Sequence, residues 1–387
     1  MRCAQLPSRF AQDRKPARCS GAKGAVKRIP FMPSPPNMLP LAEPPRSVCI
    51  LRLSAIGDTC HVVPIVRTLQ HAWPETQLTW IIGKAEARLM SLVDGVEFIT
   101  VDKRAGLRAR HELRSRLQGR RFDVLLHMQL SFRASLVARQ IPADIKLGFD
   151  RARARELQWL FTNARIAARS REHVLDSLFG FTAALGIRER VPRWDIPIPP
   201  SATVYAERLI PDSRPTLVIS PCSSHPFRNW RAARYAAVAD YAARRHGMRV
   251  ILAGGPSKLE RKTGAAIERA AHSAIINQIG RDTLPELLGL LSRATALLTP
   301  DSGPAHMATM VNTPVLGLHA ATNPARSGAY LSRLWCVDAY PEAARRFRHR
   351  APEKLPWTEK IEERGVMDLI GVEQVTAKLD ELLRWRL

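Results

Sequence analysis

The sequence lacks any apolar run approaching the roughly 20 residues that a membrane-spanning helix needs. It has only six cysteines, and they show neither paired metal-ligand spacing nor the density of a disulfide framework, which favours a reducing cytosol. The Gly-Lys-Ser/Thr of a P-loop and the Gly-x-Gly-x-x-Gly dinucleotide fingerprint are also missing. These absences disfavour an integral membrane protein, a structural zinc protein and the two best-known nucleotide-binding loops.

Acidic residues are few for the number of basic ones: 35 Asp and Glu stand against 59 Lys and Arg, a formal net charge of +24. This excess indicates an anionic partner, but charge alone does not distinguish phosphates from nucleic acid or an anionic membrane surface. Because no RNA-recognition motif or zinc finger is present, no nucleic acid is expected. A non-enzymatic basic nucleic-acid-binding protein therefore remains only an alternative.

Residues 103–121 concentrate the positive charge, with eight basic residues and one acidic residue. Two interpretations stay open for this segment. One is a solvated helix face, and the other is the capture of an anionic acceptor by arginine side chains. The candidate acceptor-binding residues are Arg108, Arg110, Arg114 and Arg116.

The N-terminal segment differs in composition from the rest of the chain. Residues 1–47 hold nine basic residues, two acidic residues and nine prolines, without the apolar centre of a secretory signal peptide. This composition predicts a disordered, basic, proline-rich tail over residues 1–45.

A short β-rich run, Val48–Leu53, ends in a turn that contains Gly57 and Asp58 and leads into a helical pattern from His61 to Ala72. Gly57 is expected to let the backbone bend sharply. Asp58 then lies at the carboxyl end of a strand, where open α/β sheets bind ligands. It is either a helix cap or, as a single carboxylate with few phosphate-binding glycines nearby, a general base.

A second turn follows the apolar run Ala294–Leu298 and contains Asp301, Ser302 and Gly303. The helix that begins there offers free backbone N–H groups and the positive end of its dipole, which favour an anion. Asp301 and Ser302 either cap this helix or hold the phosphate and sugar hydroxyls of a ligand. His306, one turn inside the helix, would face whatever the turn binds.

Alternating strands and helices predict two α/β lobes with parallel sheets. In the first lobe, strands are expected at Val48–Leu53, Leu78–Ile82, Phe98–Val101 and Phe122–His127. In the second, they are expected at Thr216–Ser220, Arg249–Ala253, Ala294–Thr299 and Val315–Leu318. The proline-rich segment from Val191 to Asp212 is predicted to be a linker. The lobes are assigned to residues 46–200 and 212–365, and a final helix to residues 366–387.

Four ordered motifs carry a resemblance to a known family. They are Leu51–Asp58, Ser220–Trp230, Pro300–His306 and Thr322–Arg326, and the similarity runs from about Arg46 to the C-terminus. Together they resemble glycosyltransferase family 9, the ADP-heptose:lipopolysaccharide heptosyltransferases of Gram-negative bacteria. The resemblance implies a GT-B fold of two Rossmann-like βαβ lobes facing a central cleft, with the final helix crossing back onto the first lobe. It also implies an inverting mechanism without a metal or other cofactor. Because members of this family typically begin just before the first strand, the resemblance offers Met38 as an alternative start of the mature protein.

The resemblance also implies roles for individual residues. The nucleotide-sugar donor would lie on the second lobe, held by Ser223, Ser224, Arg228, Asp282, Asp301, Ser302, Gly303, Pro304 and His306. Arg228 stands where the family usually has lysine, and a fixed cation there would neutralise charge on the departing diphosphate. The family's ribose-binding glutamate aligns near Lys258, so either Glu260 replaces it or the contact is lost.

The function implied is transfer of heptose from ADP-heptose to the inner core of lipopolysaccharide, with Asp58 as base and Arg228 on the leaving group. The acceptor is Kdo or heptose on lipid A. The protein is expected to be cytoplasmic, in peripheral contact with the inner face of the inner membrane. The enzymatic alternative is a similar glycosyltransferase with another nucleotide-sugar donor.

Overall fold

The computed structural model describes residues 39–386. Most of the predicted tail, residues 1–45, and the alternative start Met38 lie outside the described residues. The end of that predicted tail is not disordered. The N–H of Leu41 donates to the carbonyl of Leu185 over 3.1 Å, and Leu39 and Leu41 pack against the hydrophobic core.

The first lobe is built on a six-stranded sheet in which all the pairs are parallel, in the order β3-β2-β1-β4-β5-β6. Its strands are β1 (Ser47–Leu51), β2 (Gln77–Gly83), β3 (Glu97–Val101), β4 (Phe122–His127), β5 (Ala143–Gly148) and β6 (Ala164–Arg165). Its helices are α1 (Ile56–Cys60), α2 (Val63–Ala72), α3 (Lys84–Met90), α4 (Gly106–Arg116), α5 (Phe132–Ala138) and α6 (Val174–Leu185). The apolar β1 residues are buried on both faces, as in parallel sheets covered by helices.

The second lobe repeats this plan in the order β12-β11-β10-β7-β8-β9, again with parallel pairs. Its strands are β7 (Thr216–Ile219), β8 (Arg249–Leu252), β9 (Ile276–Asn277), β10 (Ala296–Pro300), β11 (Val315–His319) and β12 (Val337–Asp338). Its helices are α7 (Pro200–Leu209), α8 (Ala232–His246), α9 (Lys258–Ala270), α10 (Leu284–Arg293), α11 (Gly303–Met310), α12 (Pro324–Ser327), α13 (Tyr340–Arg348) and α14 (Val372–Arg386).

The eight strands predicted from sequence are all present, with ends displaced by at most two residues. Four strands were not predicted: β5, β6, β9 and β12. Three of these are two-residue strands, too short to show a period of two. The parallel α/β architecture and the GT-B fold are therefore confirmed.

Both sheets have the strand order of a Rossmann fold, with β1 beside β4 and β7 beside β10 at the points where the order reverses. A crevice opens there beyond the carboxyl ends of the strands, and ligands of open α/β sheets bind in it. Asp58 follows β1, whereas Asp301 follows β10. The topology thus places both sequence motifs at the switch points.

Two predictions about the second lobe need correction. The segment predicted as a linker contains α7, in which Tyr205 and Leu209 are buried. The final helix does not cross onto the first lobe, because its apolar residues Val375, Leu379 and Leu382 belong to the second lobe's core. Asp380 confirms this placement by accepting hydrogen bonds from Tyr241 and His246 of α8. The apolar stripe of α14 thus covers its own lobe.

Among residues 39–386, no helix is both long and apolar enough to cross a membrane.

Candidate functional site

Asp58 lies in the third position of α1, beyond the carboxyl end of β1. Its Oδ2 is 2.7 Å from the Arg52 guanidinium and accepts the Ala55 N–H over 3.2 Å. Burial would raise the pKa of the Asp58 carboxyl, but the charge and hydrogen bond of Arg52 and the Ala55 N–H together hold it below its usual value. Because 41% of the side chain remains exposed, this ionised carboxylate can still meet an incoming hydroxyl.

Backbone carbonyls at the carboxyl end of the first sheet hold the Arg52 side chain in place. Its Nε donates to the Ser54 carbonyl over 2.9 Å, and Nη1 donates to the Met128 carbonyl over 2.5 Å. Since Met128 follows β4, the guanidinium spans the switch point between β1 and β4. Arg52 therefore orients Asp58, and the sequence analysis gave it no role.

Gly57 has a different role from the one predicted. The helical pattern predicted from His61 to Ala72 corresponds to α2, but a separate short helix, α1, precedes it. Gly57 lies within α1 and has no positive φ. A Cβ at this position would lie 2.5 Å from Cδ2 of His306. Gly57 is therefore needed for the close approach of α1 in the first lobe to α11 in the second, and it does not supply a sharp bend.

The start of α11 is free of side-chain caps. Ser302 occupies the capping position, but its hydroxyl pairs with that of Thr299 over 2.7 Å. Asp301 accepts instead from the Ser327 hydroxyl over 3.1 Å. Pro304 lies in the first turn, where a missing N–H costs no helix hydrogen bond. Neither Asp301 nor Ser302 therefore caps α11, and the start of this helix beside Gly303 remains suited to an anion.

Three imidazoles pack together between the two motifs. The ring centroid of His61 is 4.5 Å from that of His306 and 5.5 Å from that of His173. Burial lowers the pKa of all three, to about 4 for His173. His173 accepts the Leu175 N–H at Nδ1 and donates from Nε2 to the Gly328 carbonyl over 2.9 Å. These histidines are therefore neutral at pH 7, and His173 joins the lobes.

Arg228 lies in a 3-10 helix, Pro226–Arg228, with a largely buried side chain. Its Nε donates to Glu362 over 2.8 Å, so its cation is already partly neutralised. Ser223 is held by its N–H, which donates to Asn229 over 2.7 Å. Ser224 is exposed. Both serines follow β7, on the opposite side of the second switch point from Asp301.

Asp282 lies beside the turn that follows β8, where the Gly280 N–H donates to the Gly254 carbonyl over 2.8 Å. Burial raises the pKa of the Asp282 carboxyl to about 7, with a further contribution from Glu286 and Glu260. Its Oδ2 is buried without a hydrogen-bond partner among the described residues. Glu260 accepts the Gly255 N–H over 2.7 Å and the Ser257 hydroxyl over 2.6 Å.

Asp282→Asn is expected to stabilise the protein at pH 8 but not at pH 4. A carboxyl whose folded pKa is raised favours the fold below its unfolded pKa near 3.8 and loses that advantage as the pH rises through about 7. After a discount for solvent screening, the gain at pH 8 is on the order of 1–2 kcal/mol. Thermal unfolding at both pH values measures this gain. An equal change in melting temperature at pH 4 and pH 8 would contradict the raised pKa of Asp282.

The four candidate acceptor arginines lie on α4, and the structure does not bring them together. Arg108 pairs with Glu112 over 2.9 Å on an exposed face, and Arg114 and Arg116 are exposed. Arg110 instead lines a cavity of about 340 Å³ beside Leu53, at the carboxyl ends of β1 and β3. Of the four candidate arginines, Arg110 alone therefore borders the cleft side of the first sheet.

Several site residues were missed by the sequence analysis. Arg52 and Arg326 belong to motifs that it quoted but to which it gave no individual role. His61 follows Asp58 by three residues, a spacing that places both on neighbouring turns of helix. Lys360 and Glu362 had no sequence signal, because their proximity to Arg228 arises only from the fold.

Comparison with known proteins agrees with this geometry. The family model described as glycosyltransferase family 9 (heptosyltransferase) matches residues 110–355. A Haemophilus influenzae protein, lipopolysaccharide core heptosyltransferase OpsX, is 39% identical over 340 residues, which cover 88% of this chain and 98% of the relative.

Solved structures show the same fold. A family 9 glycosyltransferase from Veillonella parvula superposes with a TM-score of 0.72 at 21% identity, covering 87% of this chain and 97% of that one. The E. coli heptosyltransferase WaaC with ADP superposes with a TM-score of 0.67 at 19% identity, and the match covers 87% of this chain and 99% of that one. With two Rossmann-type lobes, the paired motifs and these matches, the chain belongs to glycosyltransferase family 9, the heptosyltransferases.

Proposed function

We propose that this enzyme transfers heptose from ADP-heptose to the inner core of lipopolysaccharide, with inversion and without a metal ion. The observation that carries the proposal is the close approach of α1, which carries Asp58, to the uncapped start of α11 at the cleft. One side offers a carboxylate base and the other an anion site, as displacement of a nucleoside diphosphate requires. The names of the Haemophilus relative and of the WaaC–ADP structure support the choice of substrates.

The first half of the reaction takes place at Asp58. An acceptor hydroxyl hydrogen-bonds to the exposed carboxylate, and its oxygen attacks the anomeric carbon from the face opposite ADP. Because the Asp58 pKa is lowered, the carboxylate is a weak base, and it takes the proton as the new C–O bond forms. One base and one displacement invert the anomeric configuration.

The second half is departure of ADP. As the anomeric C–O bond breaks, its electron pair remains on the diphosphate. The start of α11 at Ser302 and Gly303, neutral His306 and the Arg228 cation stabilise this charge. Ser223 and Ser224, across the switch point, are suited to donating hydrogen bonds to the same diphosphate.

The adenosine part of the donor would lie beside the turns that hold Glu260 and Asp282. Glu260 occupies the region expected for the ribose-binding glutamate, although its hydrogen bonds with Gly255 and Ser257 also cap α9. Donor competition tests this assignment. Unlabelled ADP-heptose should suppress the transfer of heptose from labelled ADP-heptose, whereas UDP- and GDP-sugars should not. Efficient turnover of another nucleotide sugar would favour the alternative donor.

The acceptor would approach from the first lobe. The cavity beside Arg110 is also lined by Lys103, Arg133 and Asp102, so three cations and one carboxylate surround an apolar floor that includes Leu53. Lys103 is paired with Glu86 over 2.7 Å, which leaves Arg110 and Arg133 as the cations for a ligand. This chemistry suits the anionic sugars and phosphates of a lipid A-linked core. We propose that binding at this edge brings the cytoplasmic enzyme into peripheral contact with the inner membrane.

Arg110→Ala is expected to raise the acceptor KM about tenfold and leave the donor KM nearly unchanged, because only Arg110 of the four candidates borders the cavity. Neutralising Arg108, Arg110, Arg114 and Arg116 together should have little further effect and flatten the salt dependence of acceptor use. Arg114→Ala with Arg116→Ala is the matched control. An unchanged acceptor KM in the quadruple variant would leave a solvated helix face as the explanation.

The mass of core oligosaccharide from a strain lacking this gene tests the biological role. We expect a core truncated by a heptose and everything attached beyond it, restored by the wild-type gene but not by the Asp58→Ala gene. An unaltered core in the deletion strain would contradict the proposal.

A further inference from the structure

Arg326 is a half-buried cation at the cleft. Arg52, Arg153 and Arg228 each pair with a carboxylate. The Arg326 guanidinium takes part in no side-chain hydrogen bond or ion pair with any residue of 39–386. Ionised side chains away from water normally have a partner, so Arg326 is available to an anion that comes from outside the chain.

The position of Arg326 is fixed by α12. The Ser327 hydroxyl donates to Asp301 over 3.1 Å, which ties this helix to the residue just before α11. The Gly328 carbonyl accepts from His173 of the first lobe over 2.9 Å. Arg326 is consequently held between the two lobes, and it interacts electrostatically with Asp58 as well as Asp301.

Lys360 is a second cation of this kind. Its backbone forms an antiparallel bridge with Thr322, at the start of the motif that ends in Arg326. Its ammonium has no hydrogen-bond or ion-pair partner in the part of the chain that the structure describes. Two residues further on, Glu362 is already bound to Arg228.

Arg326 and Lys360 lie among both carboxylates and other cations. Burial lowers the pKa of Arg326; the Asp301 and Asp58 charges oppose this shift, and the Arg155 and Arg228 charges add to it. Partial burial lowers the pKa of Lys360; repulsion from Arg228 and Arg326 adds to this shift, and the Glu362 and Asp301 charges oppose it. Cations that repel one another around one site gain most from a multiply charged anion.

We propose that Arg326 and Lys360 bind the sugar-proximal phosphate of the nucleoside diphosphate and neutralise the charge it gains when the anomeric C–O bond breaks. This inference rests on the proposed function, since it assigns two residues to the sugar-proximal phosphate of that same donor. After transfer, this phosphate is the terminal phosphate of ADP. The electron pair of the broken bond stays on the phosphate oxygen, and no proton transfer is required. Arg228, paired with Glu362, then contributes less charge than either unpaired cation.

A comparison of ADP with AMP isolates this phosphate. Wild-type protein is expected to bind ADP at least tenfold more tightly than AMP in calorimetric titrations. Arg326→Ala and Lys360→Ala should each reduce that ADP/AMP ratio about tenfold, because a charge-assisted contact to the terminal phosphate is lost. Their AMP affinity should stay within about twofold of wild type.

Two further variants complete the experiment. Arg326→Lys keeps the charge and should restore part of the ratio, and its melting temperature reports whether the fold is intact. Arg345→Ala removes an exposed arginine of α13 and should leave the affinities for ADP and AMP unchanged. An undiminished ADP/AMP ratio in Arg326→Ala overturns this inference but leaves the proposed function standing. A wild-type protein that binds neither nucleotide overturns both.

Discussion

Replacing Asp58 with alanine is expected to lower kcat by about 10²–10⁴-fold while ADP affinity stays nearly unchanged. A positioned general base typically contributes that factor. Asp58 lies in the first lobe, whereas the proposed ADP site is on the second. Initial rates with ADP-heptose, together with ADP titration of the same protein, measure the two effects separately.

Asp58→Asn is the matched variant, because it keeps the size of the side chain and the acceptor for the Ala55 N–H. It should lose as much activity as the alanine variant with a smaller loss of stability. The pKa of Asp58 is lowered, so the stabilisation from its pairing is present above the unfolded value near 3.8 and lost as the pH falls further. The acid limb of kcat/KM should accordingly lie below about pH 4. Near-wild-type turnover by Asp58→Asn would reduce Asp58 to a helix cap.

Replacing Gly57 with alanine is expected to lower kcat by about 10²-fold and to destabilise the protein by about 1–3 kcal/mol. The new Cβ would lie 2.5 Å from His306, and that ring cannot move away easily because His61 packs against it. Overpacking of this size carries such a cost, and the resulting displacement of α1 from α11 misaligns the base with the leaving group. Thermal unfolding and initial rates provide the two measurements.

A double variant separates this clash from other effects of the mutation. In a protein that already carries His306→Ala, the further substitution Gly57→Ala should cost little stability, because the His306 ring that the new Cβ would meet is no longer there. Gly371→Ala serves as the control, since its Cβ would meet only the flexible side-chain ends of Glu373 at 3.1 Å and Gln374 at 3.7 Å. If the stability penalty of Gly57→Ala persists without the His306 ring, the two helices do not meet as described.

The sequence was informative where local pattern and topology agree. The strands before both motifs have clear apolar runs, and the two turns follow them directly, so Asp58 and the start of α11 could be placed at the carboxyl ends of strands. Those positions follow from the Rossmann strand order, which brings β1 beside β4 and β7 beside β10. For the same reason, the sequence predicts an anion site at the start of α11.

Contacts between distant segments could not be read in the same way. Glycine is common in turns, so the sequence predicted a bend at Gly57. Its actual role depends on His306, which comes close to Gly57 only in the folded arrangement of both lobes. The apolar stripe of α14 identifies a helix without identifying the surface it covers, and that surface is α8 of the same lobe. Likewise, the pairing of Arg228 with Glu362 joins residues with no local relation.

The most direct test of the central claim is a single-turnover reaction of the purified enzyme with ADP-heptose and a lipid A-linked inner-core acceptor, analysed by mass and NMR spectroscopy. The account predicts a product that carries one added heptose, with the anomeric configuration of the new bond opposite to that of the donor, and no such product with Asp58→Ala. A new bond that retains the donor's configuration, or a product without added heptose, would contradict it.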